Sequence, residues 1–274
     1  IDVYPLSFRE YLSFKDITIN SKLDLVNNKI LLNREFELFL KEGGFPKLVE
    51  YAPLDKKELL TTYKDSILLK DIVARYKLKE FAKLEEIAAF LLSNSGIAQS
   101  ITKLKNNFGV SYDTADSYVE YLAKAYMLFE INKFDYSLKK QYSNEKKFYS
   151  IDLGLSNIFR VANLQTRGND LETVVLLELK RRGYNIFYYK TTNNWECDFI
   201  VEKNNEIVEL IQVTTSLNDE ATKKRELRVF SKTIDDLNLN DVKCTVICED
   251  ASSIVNYDDL EINIVNIKNW LLSY

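Results

Sequence analysis

The chain has 274 residues, a formal net charge of −4 and 46% hydrophobic residues, which is enough for two or three domains with packed cores. It contains no histidine, which excludes nucleophile systems and zinc sites built on imidazole. The 3 cysteines lack CxxC spacing, and no apolar run reaches the roughly 18 residues of a membrane span. We therefore expect a soluble, cytoplasmic protein with no membrane partner, whose chemistry would depend on carboxylates and lysines.

Residues 1–78 predict a helical connector. All three prolines, Pro5, Pro46 and Pro53, lie in this part, which indicates an irregular opening. Apolar residues at helical spacing then continue through "KKELLTTYKDSILLKDIVARYKL", and no alternating strand pattern interrupts them.

Residues 79–160 predict a winged helix-turn-helix. Three amphipathic helices, the last one capped by Ser111, precede two strand-like segments, "MLFEINKF" and "KKFYSIDL". The third helix would face DNA, yet it carries Asp113, Asp116 and Glu120 with Lys124 as its only cation. Like charge would oppose phosphate at this helix.

Positive charge is concentrated around the predicted wing instead. The candidate nucleic-acid-binding residues are Lys133, Lys139, Lys140, Lys146 and Lys147. Such a cluster suits contacts with phosphate and carries no sequence-reading pattern. Two other uses stay open, namely a merely solvated loop and a docking surface for another protein or domain.

Residues 161–274 predict an α/β sandwich around a mixed sheet. The strand-like segments are "NIFYYK", "ECDFIV", "EIVELIQV", "KCTVICE" and "INIVNI". Helical patterns precede, interrupt and follow them, which is typical of an α/β arrangement.

Six segments occur in an order that identifies a family. They are "YPLSFREYL", "GGFPKLV", "LLKDIVARY", "FYSIDLGL", "LETVVLLELKRRGYNIFYYKT" and "ECDFIVEKNNEIVELIQV". Together they resemble the C-terminal region of prokaryotic AAA+-like ATP-binding proteins of the domain-of-unknown-function 4143 family. The resemblance covers nearly the whole chain. It implies a winged helix followed by a PD-(D/E)XK restriction-endonuclease-like domain, an α+β to α/β fold overall.

The resemblance also implies a P-loop ATPase domain that would lie upstream of this chain. The pattern GxxxxGK[ST] does not occur in the 274 residues, and the chain opens on Ile1 instead of methionine. We therefore expect no cofactor in this chain beyond a possible Mg²⁺, and ATP with Mg²⁺ only in the ATPase domain. That domain would be one partner of the chain.

The nuclease family to which the last domain is similar binds Mg²⁺ through carboxylates and uses a lysine two residues after the last ligand. Mapped onto this chain, the helix acid is Glu172, the strand acid is Asp198, and the acid-x-lysine element becomes Gln212-Val213-Thr214. Asp198 and Gln212 are the candidate metal ligands, and Lys190 could take the place of the missing lysine. A structural explanation also exists for Glu172, because an acid in the first turn of a helix is stabilised by the helix dipole.

Three functional hypotheses result. The favoured one is a non-catalytic interaction region that engages a protein partner or nucleic acid under the control of the ATPase domain. The alternatives are a DNA-binding winged-helix protein and a Mg²⁺-dependent DNA nuclease that uses Asp198. Loss of both charged members of the acid-x-lysine element argues against the nuclease, because those charges supply several kcal/mol of transition-state stabilisation.

Overall fold

The computed structural model describes residues 2–50, 53–160, 167–250 and 252–273. The chain divides into two compact units, Ile1–Glu130 with Glu145–Gln165, and Ile131–Asn144 with Thr166–Tyr274. The predicted boundary between residues 78 and 79 lies inside the first unit. Across the described ranges, no helix is long and apolar enough to cross a membrane.

The described part of the predicted connector consists of helices and loops. The helices are α1 (Phe8–Phe14), α2 (Lys22–Asn27), α3 (Lys29–Glu42), α4 (Pro46–Glu50), α5 (Pro53–Ser66), a π-helix (Ile67–Val73) and α6 (Ala74–Tyr76). Local capping starts α1, since the Ser7 hydroxyl accepts a hydrogen bond from the Glu10 N–H and the Glu10 carboxylate accepts one from the Ser7 N–H.

Three helices follow in the predicted places, α7 (Phe81–Ser93), α8 (Ile101–Phe108) and α9 (Tyr112–Lys124). The hydroxyls of Ser100 and Ser111 cap α8 and α9 by accepting backbone hydrogen bonds. Three strands form a small sheet in the order β1-β3-β2, with β1 at Ala98–Gln99, β2 at Leu128–Asn132 and β3 at Lys146–Ser150. The sequence does not predict the short strand β1.

The segment Ile131–Asn144, which contains most of the loop that the sequence assigns to the wing, is part of the second unit. Phe134 is buried in that unit's core, and its N–H donates to the Tyr188 carbonyl over 2.8 Å. The loop also contains a short helix, α10 (Leu138–Ser143), which the sequence pattern does not predict. Its residues have no buried apolar stripe, so periodicity carries no signal for this helix.

Three of the family-like segments meet at one junction in the first unit. Asp152 caps α11 (Leu153–Asn157), because its carboxylate accepts the Leu155 N–H over 3.0 Å. The same carboxylate accepts the Gly44 N–H over 2.6 Å, and the Gly44 carbonyl accepts the Leu6 N–H over 2.7 Å. These segments therefore specify a hydrogen-bonded junction between distant parts of the chain.

The glycines of this junction are required by close packing. A Cβ atom on Gly154 would lie 2.1 Å from the Glu42 carbonyl oxygen, closer than any real contact. Gly43 has a φ of +84°, which residues with a Cβ rarely adopt, and a Cβ there would lie 2.1 Å from an Asp152 carboxylate oxygen. Steric requirements thus account for the glycines of these segments.

The second unit contains a six-stranded mixed sheet in the order β4-β5-β6-β7-β9-β8. The strands are β4 (Asn185–Lys190), β5 (Glu196–Lys203), β6 (Glu206–Val213), β7 (Lys243–Cys248), β8 (Ser253–Tyr257) and β9 (Leu260–Asn266). The pairs β6/β7 and β7/β9 are parallel, and the others are antiparallel. The sequence predicts every strand except β8, an edge strand whose side chains are exposed or half-buried.

Three helices pack against this sheet, α12 (Arg167–Arg181), α13 (Glu220–Leu237) and α14 (Ile267–Leu271). Leu227 and Phe230 of α13 share one core with Ile200, Leu210 and Val246 of the strands. The mixed α and β class is therefore confirmed. The winged-helix and endonuclease-like assignments within it stay predictions.

The cysteines are buried in this second unit as free thiols. Burial, with a smaller contribution from the Glu209 carboxylate, raises the pKa of the Cys244 thiol to about 12. A thiol with such a pKa is not a nucleophile at neutral pH. Core packing, as the sequence predicts, accounts for this residue.

Candidate functional site

Asp198 lies at a bulge in β5. The register between β4 and β5 shifts after Phe187, so that Cys197 lies opposite Tyr189, and two residues, Asp198 and Phe199, lie opposite a single residue of β4. A bulge of this kind redirects the side chains of a strand. The bulge leaves Asp198 half-buried at the end of the regular β5–β6 pairing.

Asp198 and Gln212 bond to the backbone of each other's strands. Regular pairing of β5 with β6 ends at Phe199 opposite Ile211. Beyond that pair, the Asp198 N–H donates to Gln212 Oε1 over 2.7 Å, and the Val213 N–H donates to Asp198 Oδ2 over 2.8 Å. The two side chains therefore accept hydrogen bonds from backbone donors at the end of the β5–β6 pairing.

The other end of the Gln212 amide is bonded as well. Its Nε2 donates to Glu226 Oε2 over 2.9 Å, and Glu226 Oε1 accepts from Arg225 Nη2 over 2.8 Å. Gln212 is 3% exposed and Glu226 is 7% exposed. We call the set Asp198, Gln212, Glu226 and Arg225 the polar network. It joins β5, β6 and α13 through hydrogen bonds that burial makes costly to break.

Thr214 occupies the position of the nuclease lysine and is buried, at 7% exposed. Its N–H donates to the Ile247 carbonyl over 3.0 Å, which extends the β6–β7 pairing. Its hydroxyl donates to the Ser216 carbonyl over 3.4 Å. The backbone and the hydroxyl of Thr214 thus both bond to the protein itself.

The remaining predicted site residues are placed differently. Lys190 is exposed at the end of β4, opposite Glu196. Glu172 is half-buried on α12, which begins at Arg167. Glu172 is therefore in the second helical turn, so the first-turn dipole explanation is wrong, because that stabilisation falls off within the first turn.

The structure brings Asp198 and Gln212 together, and both of these candidate metal ligands accept hydrogen bonds from backbone N–H groups. Within residues 2–50, 53–160, 167–250 and 252–273, no group of three or more acidic or cysteine residues could hold a metal ion. A hard cation such as Mg²⁺ favours sites with several oxygen ligands, carboxylates among them.

Glu226 and Arg225 are the members of the polar network that the sequence prediction lacks, and Glu226 is the one that bonds to Gln212. A signal for it exists in α13, where Glu226, Phe230, Thr233 and Leu237 recur at helical spacing and all are buried. A charged residue on an otherwise buried stripe indicates a polar partner inside the fold, because an unpaired buried charge is expensive.

Two of the predicted nucleic-acid-binding lysines lie on β3. The Lys146 ammonium forms an ion pair with Glu130 over 2.6 Å, and its side chain is 17% exposed. Lys147 is buried, at 1% exposed. These two side chains therefore add little accessible positive charge to the surface.

The other three predicted lysines lie in the loop of the second unit. Lys133 is half-buried, with its Nζ 5.9 Å from the centroid of the Tyr189 ring. Lys139 and Lys140 are exposed on α10. Large apolar side chains that the sequence prediction overlooked are exposed beside them: Tyr136 at 72%, Leu138 at 65% and Tyr142 at 68%.

The helix predicted to face DNA, α9, lines a groove of about 640 Å³ in the first unit. Asp116, Glu120 and Glu130 contribute acids to this groove, and Lys124 and Lys146 contribute cations. Lys124 pairs with Glu120, as Lys146 does with Glu130. The groove therefore offers little attraction to phosphate.

Two family models match successive parts of the chain. Residues 33–167 match a domain of unknown function, DUF8612. Residues 167–270 match the domain of unknown function DUF4143. The sequence resemblance to the 4143 family is thus confirmed for the C-terminal part, whereas a separate model covers most of the part before it. The DUF4143 match begins where α12 begins, so it contains the polar network.

Two relatives are similar over much of the chain. An uncharacterized protein of Methanocaldococcus jannaschii is 34% identical, with 100% of this chain and 63% of the relative covered. An uncharacterized protein of Haemophilus influenzae is 30% identical, with 76% of this chain and 51% of the relative covered. The chain therefore spans less than two thirds of either relative. No solved structure gives a significant match.

Proposed function

We propose that this chain is a non-catalytic binding region of an ATP-dependent protein. In this role it engages a protein partner or nucleic acid under the control of an ATPase domain. The observation that carries the proposal is the polar network, in which Asp198 and Gln212 bond to backbone groups and to Glu226. The residues that would bind metal in a PD-(D/E)XK nuclease serve here to join strands to a helix.

Charge supports the same conclusion. A Mg²⁺-dependent nuclease needs negative ligands for the cation and a positive group near the developing charge on phosphate. Gln212 supplies no negative charge, and the buried Thr214 supplies no positive charge. Loss of both groups removes several kcal/mol of transition-state stabilisation, which favours a binding role over hydrolysis.

The ATP-dependent part of the proposal is supported by the family resemblance and by the length of the relatives. This chain covers 63% of the Methanocaldococcus jannaschii protein, so that relative has further sequence outside the aligned region. We expect the full-length relative to bind ATP with Mg²⁺, and the segment equivalent to this chain to bind no ATP. Isothermal titration of both proteins with ATP tests this, and a full-length protein without nucleotide affinity contradicts the proposal.

We expect no cleavage when the protein is incubated with labelled duplex, single-stranded or branched DNA and Mg²⁺ or Mn²⁺. The reason is the missing acid and lysine at positions 212 and 214. Gel electrophoresis of the products is the measurement. Asp198→Ala and Glu206→Ala, an exposed acid of the same sheet, serve as paired variants.

Cleavage that disappears in Asp198→Ala and persists in Glu206→Ala would overturn the proposal in favour of the nuclease. Cleavage that survives in both variants would not depend on Asp198, so the predicted nuclease site would not be its source. Repeating the assay on such a preparation after further purification restores the test.

A further inference from the structure

We propose that the loop of the second unit binds single-stranded nucleic acid through the surface formed by Tyr136, Leu138, Lys139, Lys140 and Tyr142, hereafter the loop surface. In this complex, bases would stack on the tyrosines and phosphates would contact the lysines. The inference deepens the proposed binding role and rests on it, since it names the class of partner. No catalytic step is involved.

The first argument is the unusual exposure of large side chains on α10. Leu138 and Tyr142 are four residues apart and therefore share one face of the helix. Their exposed fractions are 65% and 68%. A helix normally buries its apolar face, so the outward placement of these two side chains indicates a surface made to contact a ligand.

The second argument is that Tyr136 is held in place while its ring remains accessible. Its hydroxyl donates to the Leu237 carbonyl over 2.9 Å, and the buried ring of Phe134 packs edge-on against it at a centroid distance of 5.2 Å. The residue as a whole is nevertheless 72% exposed. An aromatic side chain fixed before binding loses little conformational entropy when a base stacks on it.

The third argument is charge. Lys139 and Lys140 are exposed on the same short helix that carries Leu138 and Tyr142. The acid beside them, Asp135, accepts the Ser137 N–H over 2.8 Å and lies 3.8 Å from the Lys140 ammonium, so it offsets part of the charge of Lys140 and none of these contacts involves Lys139. The balance of the loop surface is positive although the whole chain has a net charge of −4. A positive surface attracts phosphate groups. It does not attract a protein partner that is basic or poor in acidic residues.

Exposed aromatic rings distinguish single strands from duplexes. Stacking requires the face of a base, which is covered by its neighbours in a duplex and accessible in a single strand. Lysines alone would bind both forms through phosphate. The combination of two accessible tyrosines with two lysines therefore favours the single-stranded form.

Binding is measured by fluorescence anisotropy, with a short labelled single strand of mixed sequence and the same strand in a duplex, at two salt concentrations. We expect Tyr142→Ala to weaken single-strand binding about tenfold, which is within the range for loss of one stacked base. Tyr142→Phe keeps the ring and should bind like the wild type. Tyr112→Ala removes a half-exposed tyrosine of the first unit and should also leave binding unchanged.

The lysines are tested through the salt dependence. Changing Lys139 and Lys140 together to glutamine should make the negative slope of log K against log salt shallower by about 1.4, because each single-strand phosphate contact contributes about −0.7 to that slope. The matched control changes Lys103 and Lys105, two exposed lysines of α8, and should leave the slope unaltered. Circular dichroism of every variant verifies that the fold is retained.

The inference is overturned by three results: absence of single-strand binding, equal affinity for the duplex, or equal loss in the Tyr112 and Tyr142 variants. The inference would also be overturned, in favour of protein docking, by a protein ligand that protects Tyr142 and is not displaced by any oligonucleotide. Failure of the proposed function is recognised separately, by cleavage that depends on Asp198 or by a full-length relative that does not bind ATP.

Discussion

Gly154→Ala should destabilise the first unit by about 3 kcal/mol, because the added methyl group cannot be accommodated. Its Cβ would lie 2.1 Å from the Glu42 carbonyl oxygen and 2.7 Å from the carbonyl carbon. Both atoms are backbone, so relief requires movement of α11 away from α3 and strains the hydrogen bond from Gly44 to Asp152. Urea unfolding followed by far-UV circular dichroism measures the loss.

Gly168→Ala is the matched control. This glycine lies in α12, and a Cβ added to it would have no atom within 4 Å. Alanine has the higher helix propensity, so the substitution should be neutral or stabilise the second unit by up to about 1 kcal/mol. Equal unfolding midpoints for Gly154→Ala and the wild type would show that the junction is looser than the structure indicates.

Gln212→Glu should destabilise the second unit by about 3 kcal/mol at neutral pH, although it brings position 212 closer to the nuclease pattern. The new carboxylate would replace an amide whose Nε2 lies 2.9 Å from Glu226 Oε2, at a site where both residues are buried. Two buried acids would then face each other without the donor that now joins them. Thermal and urea unfolding measure the loss.

The loss should depend on pH in a defined direction. Repulsion raises the pKa of one carboxyl of the new pair above its ordinary value, so the folded state binds a proton more tightly than the unfolded state does. The deficit relative to the wild type is then largest above that raised pKa and shrinks as the pH falls through it. A deficit that grows on acidification would contradict the proposed contact.

A double-mutant cycle isolates the pair. Adding Glu226→Gln to Gln212→Glu exchanges the two groups, so that an amide at position 226 again donates to a carboxylate at position 212. The introduced carboxylate can also accept the Asp198 N–H that Gln212 accepts now. We expect the double variant to regain more than half of the lost stability, whereas additive losses would mean that the two side chains do not interact.

Much of the fold follows from local patterns. Apolar spacing predicts α7, α8, α9, α12 and α13, and alternating or continuous apolar runs predict every strand of the large sheet except β8. These elements are predictable because each buries a regular face, which periodicity records directly. The exposed edge strand β8 and the solvent-facing α10 bury no such face, so periodicity carries no signal for them.

The candidate site, like the fold, was only partly predictable from the sequence. The positions of Asp198, Gln212 and Thr214 along two strands are readable from the sequence, as is the absence of the acid-x-lysine element. The bulge at Asp198 and the contact between Gln212 and Glu226 cannot be read from the sequence. The bulge depends on the pairing of β5 with β4, and the contact depends on the packing of α13 against β6. Hydrogen bonds of this kind join residues of different elements, so they produce no periodic pattern in the sequence.

The sequence by itself determined the composition limits, the order of those helices and strands that bury a regular apolar face, and the polar positions at which a nuclease would bind metal. Only the tertiary structure decided what surrounds those positions: Glu226 meets Gln212, Lys147 is buried, and Tyr136 and Tyr142 are exposed. The physical reason is that periodicity reports which face of one element is apolar. The burial of a residue and its hydrogen-bond partners depend on which other elements cover that face. Tertiary packing determines which elements these are.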